Sequence, residues 1–258
     1  MALRRIDLNA DLGEGFGPWP MGDDAAMLGL VSSANVACGG HAGDPETMFT
    51  TASTAVQRGV VVGAHPGYVD REGFGRRIIP MTPAEIGRMV ASQTGSLRAV
   101  AALAGCDVRY VKPHGALANL AADKRDVAEA IVAAVKAQPG SLAILAISGT
   151  ELESAARTAK VNVYSEIFAD RRYLTTGRLV PRSHPDAMIH DPAEAAARLI
   201  AFFETNKMPV IDGDPISLAA HSICVHGDSP GAVGMARRIR TSLEAAGFMI
   251  APFLPADA

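Results

Sequence analysis

Cysteine is scarce in this chain: three in 258 residues, Cys38, Cys106 and Cys224, with no CxxC pair among them. An odd and widely spaced set argues against a disulfide framework and fits a reducing compartment, so a cytoplasmic setting is expected. Long apolar runs are missing too. No stretch approaches the length that spans a bilayer, and the opening MALRRIDLNADLGEG has no apolar core of the kind a secretory signal carries, so neither export nor membrane anchoring is expected. An excess of one charge is also absent. With 24 Lys and Arg against 27 Asp and Glu the formal net charge is -3, which leaves no electrostatic footprint for nucleic acid or an anionic membrane. The partner is then a small substrate or a soluble protein. There is no Gly-Lys dipeptide, hence no Walker A loop, and no HExxH or HxH, hence no compact metal signature. No glycine-serine linker, low-complexity tract or internal repeat divides the chain, which is long enough to bury a large core, so residues 1–258 read as one domain.

What is present is an alternation of short apolar runs with helical patterns. Strands are predicted at Ile6-Asp7-Leu8, 34–37, 60–62, 108–111, 143–147, 161–164 and 222–225. Between them, Thr82-Pro83-Ala84-Glu85 is a capping box with Pro at the first helical position, opening a long helix that stops near Gly105. Asp44-Pro45 opens another that ends at Gly59, and Asp123, Asp191-Pro192 and Ser229-Pro230 open three more. Strand and helix alternating about seven times predict an α/β fold with a parallel sheet closed as a TIM-barrel-like (β/α)7 barrel. The stretch 168–191 lacks periodicity; a segment this long is a functional loop or lid, or simply covers a barrel edge.

Polar residues fall at or just after the C-terminal ends of these strands, where parallel barrels carry their chemistry. Asn9, Asp11 and Glu14 follow strand one; Asn35 lies in strand two, with Cys38 and His41 after it. Strand three leads to His65 and Asp70, strand four to Lys112 and His114, strand six to Glu166, Asp170 and Arg171, and strand seven to His226 and Asp228. One histidine after a strand is usually a hydrogen-bonded turn residue; histidines after several strands of one barrel converge on one face. Asp11 and Glu14 serve equally well as turn formers in a glycine-rich loop. Lys112, between Val111 and Pro113, requires a partner if buried, and Glu166 is the candidate. Cys38 is read as a small packing residue before it is read as a nucleophile. In SANVACGGHAGD (33–44) the glycines permit a sharp turn close to a ligand, and Asp44 caps the next helix. A divalent metal on Asp11, His65 and His114 is compatible with these ligand types, although their spacing alone does not separate ligands from acids and bases.

Seven blocks carry a resemblance across nearly the whole chain: DLNADLGEGFG (7–17), ANVACGGHAGDP (34–45), GAHPGYVDREGFGRR (63–77), VKPHGALAN (111–119), EIFADRRY (166–173), LVPRS (179–183) and ICVHGD (223–228). In order and spacing they resemble the LamB/YcsF family. Gly40 and Ala118 depart from the pattern, standing where aromatic residues are expected, and by the resemblance they slightly enlarge the site. The resemblance implies a seven-stranded β/α barrel similar to the glycoside hydrolase/deacetylase superfamily. It implies a role in the ATP-dependent opening of 5-oxo-L-proline to L-glutamate, with partner subunits PxpB and PxpC, which resemble KipI and KipA. On that reading the catalytic residues are Asp11, Glu14, His41, His65, Lys112 and His114: Lys112 with His114 stabilises the oxyanion, Asp11 or Glu14 positions water, and His41 or His65 transfers protons. Asn9, Asn35, Glu166, Asp170, Arg171, His226 and Asp228 then contact substrate. Two other readings stay open: a metal-dependent deacetylase or amidohydrolase acting alone, and a noncatalytic ligand-binding partner of KipI-like proteins.

Overall fold

Strand β1 (Arg4–Leu12) reads as strict alternation from Ile6 onward, with Leu8, Ala10 and Leu12 on one face and Asp7, Asn9 and Asp11 on the other. The apolar face packs outward into the layer beneath the helices, so the acidic and amide face points into the enclosed centre. The computed structural model describes residues 4–227 and 231–254. Six further strands continue the sheet: β2 (Ser33–Ala37), β3 (Val61–His65), β4 (Val108–Val111), β5 (Ala143–Ile147), β6 (Val163–Phe168) and β7 (Ser222–Val225). Each pairs in parallel with its successor, and β7 and β2 both pair with β1, which closes a seven-stranded barrel. A short β8 (Phe248–Ile250) lies outside the ring. It takes Arg4 to Ile6 of β1, and from Asp7 onward β1 turns to β7 instead.

Helices cover the outside: α1 (Asp24–Met27), α2 (Pro45–Arg58), α3 (Pro83–Leu103), α4 (Gly115–Asp123), α5 (Arg125–Lys136), α6 (Glu151–Thr158), α7 (Pro192–Thr205) and α8 (Ala232–Ala245). The predicted caps are in place for three of them. Asp44 accepts from Glu46 and Thr47 at the start of α2, Thr82 and Glu85 form the reciprocal box on α3, and Asp191 caps α7. Asp123 does not open a helix: it ends α4, and α5 begins after Lys124 with no side-chain cap. Ser229-Pro230 and the candidate Asp228 lie outside the described residues. Among the described residues no helix is long and apolar enough to cross a membrane.

The strand boundaries differ from expectation where they matter most. β1 runs four residues past Leu8, β3 reaches His65, and β6 runs to Phe168, so Asn9, Asp11, His65 and Glu166 are strand residues rather than loop residues. Their side chains are thereby fixed by the barrel's pleat. The aperiodic segment 168–191 is pinned by bridges from Arg171 to Met188 and from Tyr173 to Leu179 and Val210, with Tyr173 fully buried, and it forms one wall at the C-terminal end of the barrel. At the opposite end Phe253 and Leu254 close the barrel against Tyr110, Leu145 and Tyr164.

Candidate active site at the C-terminal mouth of the barrel

The barrel interior is a column of hydrogen bonds in place of an oily core. At its base Asp7 accepts from Ser32 and Ser33, each at 2.6 Å, and from Ser222. Burial pushes its carboxyl up to about 6 although all three hydroxyls work the other way. One layer higher, Asn9 donates to Glu166 Oε1 at 2.9 Å and to Ser222 at 2.7 Å, while Asn35 donates to Asn9 at 2.7 Å and to Asp11 at 2.8 Å. Tyr110 crosses the barrel to donate to Asn35 Oδ1 at 2.6 Å. It can do so only because β3 has glycine at 63, where a Cβ would lie 2.2 Å from the Tyr110 ring.

Lys112 sits at the centre. Its Nζ is 2.9 Å from Asp11 Oδ1 and 2.9 Å from Glu166 Oε1, with Asn9 Oδ1 at 3.3 Å and Cys224 Sγ at 3.1 Å. The partner expected for this lysine is therefore Glu166, joined by Asp11. Burial opposes the ammonium, but Asp11 leads the groups that outweigh it, and the lysine is held well above its ordinary value. Asp11 is the converse case. Burial raises its carboxyl, the charges of His65 and Lys112 overturn that, and it stays well below the carboxylate range. Glu166 is pushed up by burial despite Lys112, and its Oε2 is buried with no hydrogen-bond partner.

Above Lys112 lie three imidazoles. His65 Nε2 is 3.4 Å from Asp11 Oδ1, and its Nδ1 is 2.7 Å from the Lys112 carbonyl oxygen. His114 Nδ1 faces His65 Nε2 at 3.0 Å, and its Nε2 is 2.8 Å from the Phe74 carbonyl oxygen. His41 stacks on His114 with ring centroids 3.6 Å apart and 3° between planes, and its Nε2 is 3.0 Å from Glu14 Oε1. Burial first, and then the neighbouring imidazoles, hold His114 down at about 3 and His41 well below its usual value. Both rings are neutral near pH 7. Close stacking behind them depends on Gly75, at φ 61°, where a Cβ would sit 2.7 Å from His41 Cβ and 2.9 Å from the His114 ring.

A cavity of about 470 Å³ opens over this column, lined on one side by Asp11, His65, Lys112, His114, Glu166 and His226. Its other wall is basic, with Arg76, Arg171, Arg178 and Arg182. Arg178 is held by Asp123 at 2.5 Å and by the Ala122 and Gly149 carbonyls. Arg171 is buried and donates to the Val180 carbonyl at 2.6 Å, while its Nε has no partner; burial and then Arg182 lower it to about 10.

The candidates thus separate into two shells. Asp11, His65, Lys112, His114, Glu166, Arg171 and His226 line the cavity. Asn9, Asn35, Glu14, His41 and Asp170 stand behind them. Asp170 bonds His226 Nδ1 at 2.8 Å; burial raises its carboxyl, and His226 more than offsets that. Asp70 turns away to Arg77, and Arg172 to Glu194. Cys38 donates to the Val36 carbonyl and burial pushes its thiol up to about 12, which suits a packing residue and not a nucleophile. Ala118 lines the cavity as expected, but Gly40 does not. It borders a separate cleft, and a Cβ there would lie 2.6 Å from the Gln93 amide and 2.7 Å from the Gly67 oxygen. The arginines at 76, 178 and 182 had no signal in strand periodicity, since they reach the cavity from loops; nor had Tyr110, a residue the apolar-run criterion assigns to a core.

Fold and site together define a β/α-barrel protein with charged strand-end residues gathered under an arginine-lined mouth. Residues 6–258 match the family described as LamB/YcsF, and the chain belongs to that family. Over 250 residues it is 51% identical to the A subunit of 5-oxoprolinase from Azorhizobium caulinodans, covering 97% of this chain and 99% of that one. The corresponding A subunit of 5-oxoprolinase from Nocardia farcinica is 50% identical over 249 residues, covering 96% of this chain and 99% of that one. The crystal structure of a lactam utilization protein from Thermus thermophilus superposes with a TM-score of 0.90 at 41% identity, covering 96% of this chain and 99% of that one. A protein from Enterococcus faecalis V583 shares the fold alone, with a TM-score of 0.58 at 12% identity.

Proposed function

We propose that this chain is PxpA, the A subunit of an ATP-dependent 5-oxoprolinase that opens 5-oxo-L-proline to L-glutamate while ATP becomes ADP and phosphate, acting with the PxpB and PxpC subunits. The observation that carries the reading is one cavity that joins a buried carboxyl, Glu166, to a wall of arginines that includes Arg171. A small ligand with a carboxylate and a lactam N–H matches that lining, the first through an arginine guanidinium and the second through the Glu166 carboxyl. The relatives named as 5-oxoprolinase A subunits, similar over almost their whole length, support the same substrate class.

A lactam is a poor electrophile, so phosphorylation of its carbonyl oxygen prepares the ring for attack by water and for cleavage of the C–N bond. Lys112 and His114 flank the place where negative oxygen develops. Asp11, held ionised beside His65, is suited to orient water. Glu166, pushed up by burial, is suited to return a proton to the departing ring nitrogen. His41 takes no direct part in proton transfer, since it is stacked behind His114 and does not line the cavity.

The test is reconstitution: the chain is incubated with 5-oxoproline and ATP, with and without the two candidate partners, and glutamate and ADP are measured. Coupled glutamate and ADP formation in the full mixture, and none from any component alone, is the expected result. No glutamate from the mixture overturns the proposal. The imidazole cluster favours one second reading, a metal-dependent amidohydrolase, whose outcome in the same assay is amide or N-acetyl hydrolysis by the chain alone without ATP.

A further inference from the structure

The rings of His65 and His114 each hold one nitrogen against a backbone carbonyl and turn the other inward. A backbone carbonyl only accepts, so His65 carries its proton on Nδ1, toward the Lys112 oxygen at 2.7 Å, and His114 carries its proton on Nε2, toward the Phe74 oxygen at 2.8 Å. The inner nitrogens, His65 Nε2 and His114 Nδ1, are then the ones turned toward each other and toward a common point, 3.0 Å apart. Both residues are buried to within 5% of full cover, so an ion held between these two nitrogens would be shielded from water.

Two more donor atoms converge on the same point. Glu14 Oε1 is 3.6 Å from His114 Nδ1 and 3.0 Å from His41 Nε2, and the ligand atoms of Glu14, His41, His65 and His114 all lie within 4.8 Å of one another. The outer nitrogens of His65 and His114 are already anchored to backbone carbonyls, the arrangement that fixes tautomer and ring orientation in metal-ligating histidines. We infer that Glu14, His41, His65 and His114 form a binding site for a divalent first-row transition metal such as Zn²⁺.

Three imidazoles and one carboxylate select such an ion over Mg²⁺ or Ca²⁺, which require mostly oxygen ligands. Asp11, at 3.4 Å from His65 but engaged by Lys112 and Asn35, stands beside the ligand set and not in it. The site opens to the cavity through His65 and His114, so a bound ion would add positive charge at the cavity wall. The inference stands on this geometry and does not rest on the 5-oxoprolinase reading.

The experiment needs no substrate. The full chain is freed of metal by chelator and titrated with Zn²⁺, and separately with Mg²⁺, by calorimetry, with thermal unfolding followed in parallel. One equivalent of Zn²⁺ is expected to bind and raise Tm, while Mg²⁺ has no effect at the same concentration. His65→Gln and His114→Gln are each expected to weaken Zn²⁺ binding by about tenfold or more and to abolish the Tm rise. If either fails to fold by circular dichroism, Glu14→Gln reads the same site through its carboxylate. Absence of stoichiometric Zn²⁺ binding, or binding unchanged in the folded variants, overturns the inference.

Discussion

Asp7 is the residue whose environment makes the most direct claim on stability. It is fully buried at the base of the barrel, and its carboxyl is raised from 3.8 to about 6. A raised carboxyl means that the folded chain holds its proton more tightly than the unfolded one. The associated stability is complete below pH 4 and is lost as pH rises through 6, a difference on the order of 3 kcal/mol. The lowered His41 and His114 pull stability the other way over the same window, so the Asp7 contribution is read as the difference between the native chain and an Asp7 variant in denaturant unfolding at steps between pH 4 and 7. Asp7→Asn, which keeps an acceptor for the serines, should make stability rise more steeply, or fall less, with pH than in the native chain; an unchanged slope would show that Asp7 does not titrate in this window. At the mouth, Arg171 makes the corresponding claim on binding. Arg171→Lys keeps the charge but loses the planar fork, and a charge-assisted hydrogen bond is worth roughly 1.5–3 kcal/mol. In the reconstituted assay its KM for 5-oxoproline should rise roughly 10- to 100-fold with a smaller change in kcat.

At the scale of elements, the interior of the barrel depends on one strand making room for another. Gly63 in β3 lets the Tyr110 ring of β4 cross the axis to Asn35 of β2. Gly63→Ala should cost about 1–3 kcal/mol by overpacking, read as a lowered denaturation midpoint. Tyr110→Leu removes the obstructing ring, so the double variant should cost less than the two single changes added together. This coupling was invisible along the chain, where Gly63 follows the apolar run 60–62 and Tyr110 lies in the separate run 108–111. The number and order of the barrel strands were legible there, as were the caps at Asp44, Thr82 and Asp191, because periodicity and capping are local. The ends of β1, β3 and β6 were not. Polar residues such as Asn9 and Glu166 interrupt an apolar run and look like its termination, when they are instead the inward face of a barrel lined with hydrogen bonds. For the same reason the sequence brought Lys112 and Glu166 together correctly but could not order His41 behind His114, which only stacking in space decides.

The whole molecule divides its work between the two ends of the barrel. At the C-terminal end of the strands the enclosed volume is polar, charged and open to the cavity; at the other it is sealed by aromatic packing, where Phe253 meets Tyr110 at 5.0 Å and Tyr164 at 4.9 Å between ring centroids. The hydrogen-bonded column of Asp7, Asn9, Asn35 and Asp11 runs between them. A seal that keeps water from the base of this column protects the buried acid at Asp7 and leaves the mouth untouched, in keeping with barrels that place stability at one face and chemistry at the other. Phe253→Ala, at a half-buried position, should therefore lower unfolding free energy by about 2–3 kcal/mol, toward the low end of large aromatic truncations. Activity in the reconstituted assay below the melting transition should stay near that of the native chain. Loss of kcat/KM in a Phe253→Ala protein that remains folded would show that the sealed end also positions the mouth, and that the two ends of the column are one mechanical unit.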